Sequence, residues 1–454
     1  MGAFFTYNCH VMEKRTIYLD HAAATPLDPR IKEAMLPYLD SEYGNPSAIY
    51  SVGRMAKEAL DNARQTVAQV LGCTASEVIF TGSGTESDNL AIFGVARGYT
   101  LPSPQPSPIK GEGVSVQFPS PRGRGEGEGR GHLITTNFEH HAVLNPCKAL
   151  EKEGYEVTYL KVDRDGLITP EQLKAAIRPD TLLVSVIYAN NEIGTIEPIA
   201  ELARALREWK KIHDRKENDP PFFHTDACQA AGYLEINVKN LGVDLMTING
   251  SKIYGPKGTG ALYVRRGLRL KPLIYGGGQE FKLRSGTENV AGIVGLAKAL
   301  EITHHVAAGL QPALAKALEV THNVAAGREL EHMESERITQ LRDKLINGIM
   351  ENVPGTMLNG HATKRLPNNI NITILDIEGE AMLLYLDEYG ICASTGSACD
   401  SQTSEPSHVI QALGKSQKDA RSSIRFTLGR STTETDINYV LNVLPEIVQK
   451  LRKI

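Results

Sequence analysis

From about residue 30 to 265 the chain alternates between helix-period and strand-like runs, and few folds accept that order. Helical patterns fall at 54–71, 87–97, 142–153, 170–178 and 198–212. Apolar, β-branched runs fall at 78–81, 132–136, 156–160, 182–187, 222–225, 243–248 and 260–264. Strands that take turns with helices of this length predict a mostly parallel seven-stranded sheet covered by helices. After about residue 290 the pattern changes to long helices with strands at 370–374, 391–393 and 423–427, which predicts a smaller α+β domain. The expected division is a large domain over 28–295 and a small domain built from 12–27 and 296–454. Residues 1–11 are read as an N-terminal extension, because Met12 opens the first segment that looks structured.

Two stretches break the order. Gly and Pro fill 13 of the 31 positions in 101–131, a level at which a low-complexity surface insertion is the better reading. The second is a duplication. Leu296 to Gly309 recurs as Leu314 to Gly327, changed only at Ile302/Val320 and His305/Asn323. The offset of 18 residues equals about five helical turns and would keep an apolar stripe on one face. Gly309 and Pro312 oppose a continuous helix there. His304, His305 and His322 are read as helix surface rather than metal ligands.

Bulk properties exclude several classes. A net charge of −4 gives no electrostatic case for direct nucleic-acid binding. No apolar run approaches the ~18 residues of a membrane span. The start lacks the pattern of a secretory signal. The six cysteines (9, 73, 147, 228, 392 and 399) show no CxxC and no zinc spacing. Scattered cysteines in a long chain without a signal predict a cytoplasmic protein with reduced thiols.

Chemistry concentrates where strand-like runs end. Asp226 closes one run, and Lys252 follows the next through Asn249-Gly250-Ser251. Ligands in open α/β sheets collect at the carboxyl ends of strands. An acid and a lysine there suit pyridoxal 5′-phosphate (PLP): the lysine forms a Schiff base and the carboxylate pairs with the pyridinium nitrogen. Thr81-Gly82-Ser83-Gly84-Thr85-Glu86-Ser87 follows a strand and opens a helix. Free N–H groups at such a terminus bind phosphate. The stretch is not a P-loop, because no Lys-Ser/Thr ends it. Glu139-His140-His141 also follows a strand, so an imidazole there could stack on a ring and relay protons. Ala393 to Cys399 is a run of small residues ending in a thiol that packing explains poorly, so a reactive cysteine is expected. Arg425 interrupts a buried-looking strand, where an arginine suits a carboxylate.

With these motifs the chain resembles a cysteine desulfurase, a fold-type I PLP enzyme of the class V aminotransferase group. It is most similar to the branch with a long catalytic loop that supplies sulfur for iron–sulfur clusters and tRNA thiolation. The resemblance rests on Tyr18-Leu19-Asp20-His21-Ala22-Ala23-Ala24-Thr25-Pro26, Gly84 to Asn89, Asn190-Asn191-Glu192-Ile193-Gly194, Arg284-Ser285-Gly286-Thr287 and the Cys399 loop. It covers residue 12 to the C-terminus, apart from 101–131 and the duplication.

The resemblance implies roles. Lys252 holds PLP and later moves protons. Asp226 pairs with the ring nitrogen, Gln229 bonds the ring hydroxyl and His140 stacks on the ring. Gly84, Thr85 and nearby amides hold the phosphate, and Thr287 reaches it from the second subunit of a homodimer. Asn191 and Arg425 hold the carboxylate of L-cysteine. Cys399 attacks the sulfur, becomes a persulfide and passes sulfur to an acceptor protein, and L-alanine leaves. One departure is visible: many relatives carry Ser-Gly-His-Lys where this chain has Asn249-Gly250-Ser251-Lys252. Asn249 and Ser251 are then the expected replacements as phosphate donors. Two other readings remain open: a selenocysteine lyase or other PLP-dependent β-eliminase, and a non-catalytic binding or scaffold protein of the same fold.

Overall fold

The computed structural model describes residues 16–99, 130–304, 320–396 and 405–453, with the backbone alone at 320–333. Residues 101–129 of the low-complexity stretch, 305–319 of the duplication and Cys399 lie outside the described residues. The chain divides into two compact units, one of residues 25–191 with 195–332, the other of residues 1–24 and 192–194 with 333–454.

The larger unit is built on seven strands: β2 (Val78–Thr81), β3 (His132–Thr136), β4 (Glu156–Leu160), β5 (Thr181–Ser185), β6 (Phe222–Asp226), β7 (Leu245–Asn249) and β8 (Gly260–Val264). Their order is β2-β8-β7-β6-β5-β3-β4. β3 to β7 pair in parallel. β8 alone runs against its neighbours, because the short Gly-rich connection after Lys252 has no room for a crossover helix. β3, β5, β6 and β8 are buried at every position, as expected for strands covered on both faces.

Helix boundaries follow local chemistry. The helix Ser51–Leu71 stops where Gly72 adopts a left-handed conformation, which costs glycine no Cβ clash. The helix Pro170–Ala176 opens with a Thr169/Gln172 capping box and Pro at its first position. The helix Gly84–Gly98 is capped by the Ser83 hydroxyl, which accepts from the Glu86 amide. This helix packs on β7, β8 and β5 and beside the helix His141–Lys152. The helix Val290–His304 packs against Ser51–Leu71 and Pro29–Leu39. Its last residue corrects one expectation: His304 is half-buried rather than a surface residue, and its Nε2 lies 2.9 Å from the Ala231 carbonyl. At the apolar run's end, a polar ring survives burial by finding a backbone acceptor.

The smaller unit has an antiparallel sheet of β12 (Ser423–Thr427), β10 (Asn369–Ile374) and β9 (Thr356–Leu358). A short parallel pair joins β1 (Ile17–Tyr18) to β11 (Ile391–Cys392). Its core gathers Leu345, Ile349, Ile372, Phe426 and Leu444, all fully buried.

Candidate active site

In the larger unit, strand ends and helix starts place the expected cofactor residues. Asp226 is the last residue of β6 and is 4% exposed. Its Oδ1 accepts from the Cys228 amide at 2.9 Å. Asp226 stands in register with Thr247 of β7. Five residues after Thr247, past the end of β7, Lys252 closes a single turn of 3₁₀ helix. That turn is fastened by Thr25. The Thr25 amide and hydroxyl both donate to the Ser251 carbonyl, at 2.9 and 3.0 Å. Its hydroxyl oxygen also accepts from the Tyr254 amide at 2.7 Å. Tyr254 itself has φ of +62°, so the lysine sits on a turn held in a conformation that non-glycine residues seldom adopt.

Gly84 lies at the meeting point. A Cβ there would stand 2.6 Å from the Cys228 Sγ and 3.2 Å from the Asn249 Cβ. The phosphate-type helix start, the Asp226 turn and the Lys252 turn therefore converge on one residue that has no side chain. Burial pushes the Cys228 thiol well up, Asp226 and Asp88 push it further, and Lys252 pulls it back. The acid and the lysine thus act on the same buried sulfur from two strands.

Further acids and one histidine lie near Asp226. Glu139 is fully buried, and its Oε1 accepts from the Thr136 hydroxyl at 2.7 Å and the Ile187 amide at 2.9 Å. Burial pushes its carboxyl up to about 8, and Asp226 adds to the rise. Asp88, 1% exposed, is raised by burial and then by Asp226. His224 is two residues before Asp226, so the two share a face of the sheet. Its Nδ1 lies 2.8 Å from the Ser185 hydroxyl and its Nε2 3.1 Å from the Thr247 hydroxyl. Burial lowers its pKa to about 4, which leaves a neutral imidazole at pH 7. Sequence reasoning singles out only His140 of Glu139-His140-His141. The signal for Glu139 is its place just past the end of a strand-like run.

The residues fit PLP. Asp226 raises both Asp88 and Glu139, and a cationic ring nitrogen beside these acids would relieve that crowding. The Glu86 amide is taken by its cap, which leaves the first-turn amides of Gly84 and Thr85 for an anion. Thr85 is exposed and Gln229 half-buried. His140 caps the helix His141–Lys152, its Nδ1 accepting from the Ala142 amide at 3.1 Å, so Nε2 carries the proton in the neutral ring. Asn249 Oδ1 accepts from the Ser251 amide and hydroxyl, each at 3.2 Å. That occupies its acceptor and leaves the Asn249 amide nitrogen as the donor beside Gly84. Thr287 is exposed, after Gly286 with φ of +114°. Asn191 is buried, at 9% exposure.

In the smaller unit, Arg425 is central in β12 and 1% exposed. Its Nη2 donates to Asp20 Oδ1 at 2.7 Å. Its amide donates to the Ser394 carbonyl at 2.6 Å, and Ser394 returns the bond at 3.1 Å. Glu192, also in this unit, accepts from the Ser407 hydroxyl at 2.6 Å. The residues 397–404, Cys399 among them, lie outside the described residues. Among the described residues, no group of three or more acids, cysteines and histidines suits a metal ion.

Comparison with known proteins adds the chemistry. The family model described as aminotransferase class-V matches residues 17–103, 124–326 and 312–440. Its first break falls within the low-complexity stretch, and its last two matches overlap on the second copy of the duplication. A cysteine desulfurase IscS of Dictyoglomus turgidum is 45% identical over 97% of this chain and 96% of its own length. One from Methanosarcina thermophila is 44% identical over 97% and 94%. Among solved structures, a NifS-like protein superposes with a TM-score of 0.76 at 32% identity, covering 96% of this chain and all of its own. A structure titled SspA in complex with cysteine gives 0.68 at 32% identity, over 91% and 99%.

Proposed function

The chain belongs to the aminotransferase class-V family and is a PLP-dependent cysteine desulfurase, and from that premise we propose how its own residues carry the reaction. The observation that carries this reading is the convergence on Gly84, where the Asp226 and Lys252 turns meet a helix start. Bound PLP supplies an electron sink for cleavage of a carbon–sulfur bond.

Asp226 holds the ring nitrogen, Gln229 the ring hydroxyl, and His140 covers the ring. Gly84, Thr85 and Asn249 hold the phosphate, with Ser251 orienting Asn249. Arg425 and Asn191 hold the carboxylate of L-cysteine. The Cys399 thiolate attacks the substrate sulfur. A sulfur–sulfur bond forms and the carbon–sulfur bond breaks, with its electron pair staying on carbon. Lys252 delivers the proton that completes L-alanine. The persulfide on Cys399 then passes to an acceptor protein for iron–sulfur cluster assembly or tRNA thiolation. The name borne by the IscS relatives favours the first fate.

The working form is a homodimer. Leu39, Tyr43, Ile49 and Tyr275 of the larger unit are 65–89% exposed, large apolar side chains that a second copy would cover. A chemistry that runs on free thiols supports a cytoplasmic site; no described helix is long and apolar enough to cross a membrane.

Purified holoenzyme given L-cysteine should release alanine and leave one alkylatable persulfide per chain. Selenocysteine turned over faster than cysteine, without a persulfide, would move the assignment to a lyase. No turnover of either would leave a scaffold.

A further inference from the structure

Glu280, Phe281 and Lys282 have φ of +44°, +57° and +66°. Three consecutive non-glycine residues in the left-handed region form a turn that L-residues avoid, and such turns persist only where surrounding contacts impose them. Here the contact is a buried ion pair. Arg64 and Glu280 are 7% and 5% exposed. The guanidinium grips the carboxylate with both Nη atoms, at 2.7 and 2.5 Å. Arg64 also donates to the Val78 carbonyl at 2.6 Å, and Glu280 accepts from the Phe80 amide at 2.8 Å. Val78 and Phe80 belong to β2, the outer strand of the sheet, so the pair fixes the turn to the sheet's open edge.

What the turn leads into has its own fastenings. Arg284 donates to Glu86 at 3.0 Å, and Glu86 accepts from the Gly82 amide at 2.8 Å. The Gly286 amide donates to Gln279 at 3.2 Å, and the Ser285 hydroxyl to the Gly277 carbonyl at 2.8 Å. Thr287 follows, exposed. The same stretch carries exposed Tyr275 and Phe281, at 77% and 54%. A strained, doubly locked loop that ends on an exposed threonine is expensive to build for packing alone.

We propose that Arg64 and Glu280 are positioning residues that act between subunits: they hold the left-handed turn so that Thr287 meets the phosphate group bound by the second copy of the chain. The proposal rests on the reading of Thr287 given above. It separates the residues that shape a cofactor site from the chain that owns the site.

Subunit mixing tests it, read as the rate at which holoenzyme loses its visible cofactor band. A Glu280→Gln chain paired with a Lys252→Ala chain has one covalent site, on the Glu280→Gln chain, served by an intact loop. Its band should decay as in wild type. A chain carrying both substitutions, paired with wild type, has one covalent site served by the altered loop. That band should decay about tenfold faster, the loss of one hydrogen bond to a charged group. The reverse pattern, or equal decay in both pairings, overturns the proposal, since a local packing defect damages its own chain. Arg64→Lys, which keeps charge but gives up the fork, serves where Glu280→Gln fails to fold. Thr287→Ala in the same pairings isolates the underlying reading. If it alters decay in neither, or if wild type sediments as a monomer, that reading falls whatever Glu280 does.

Discussion

Arg425 and Asp20 form an ion pair at 2.7 Å, the arginine buried and the acid half-buried, although they stand 405 positions apart in the chain. Asp20 aligns the guanidinium by one nitrogen and balances its charge, with the arginine side chain 2% exposed. A planar fork held this way is prepared for a second carboxylate. Arg425→Lys should raise the KM for L-cysteine about 10- to 100-fold, the loss of a charge-assisted bond of ~1.5–3 kcal/mol, with a smaller change in kcat. Steady-state kinetics check this; an unchanged KM would confine Arg425 to holding Asp20.

The Glu139 carboxyl, raised by burial to about 8, makes stability depend on pH. Between its ordinary pKa and about 8 the folded chain holds a proton that the unfolded chain has released. Its contribution is full below that window and is lost as pH rises through it, at up to ~1.4 kcal/mol per pH unit. His224, lowered to about 4, acts in the opposite sense only below its ordinary value near 6.5. Urea unfolding of cofactor-free protein between pH 6.5 and 8 therefore isolates the acids. Glu139→Gln keeps an oxygen for Thr136 and Ile187 and should flatten the slope. Equal slopes in both proteins would show that Glu139 holds no proton.

Gly84 has no room for a side chain because a Cβ there would stand only 2.6 Å from the Cys228 sulfur. Gly84→Ala should cost ~1–3 kcal/mol through overpacking and weaken retention of PLP. Cys228→Ala removes the obstructing atom, so the double variant should recover most of the loss. Urea midpoints around the cycle measure the coupling; strict additivity would mean that the two residues do not meet.

Cys399→Ser should bind PLP with an unchanged visible spectrum and form no persulfide, since a serine hydroxyl cannot accept the sulfur. Alkylation and mass measurement after addition of cysteine read the outcome. Alanine release at the wild-type rate would move the nucleophile elsewhere.

The sheet and its order of helices were readable in the sequence because periodicity reports burial directly. Runs such as 132–136 and 222–225 became strands within a residue of their expected ends. Asp226, Lys252 and the Gly84 helix start were readable because strand ends are where open sheets place ligands. The antiparallel direction of β8 was not, since a run of apolar residues carries no sign of direction. The Arg64–Glu280 lock was equally hidden. Its partners are 216 positions apart, and neither the acid nor Phe281 is a residue type that announces a left-handed turn. Thr25 gave no signal of its task beneath Lys252, because a threonine reads the same in a loop or in a brace.

The sequence by itself determined the alternating architecture and the chemical types at the site, because both follow from local order: period, strand end, turn residue. Tertiary structure alone decided which groups share a carboxylate, a sulfur or a proton. Those relations depend on burial and on distances between residues far apart in the chain. The acidity of Glu139, the bare backbone of Gly84 and the pairing of Arg425 with Asp20 therefore exist only once the chain has closed on itself.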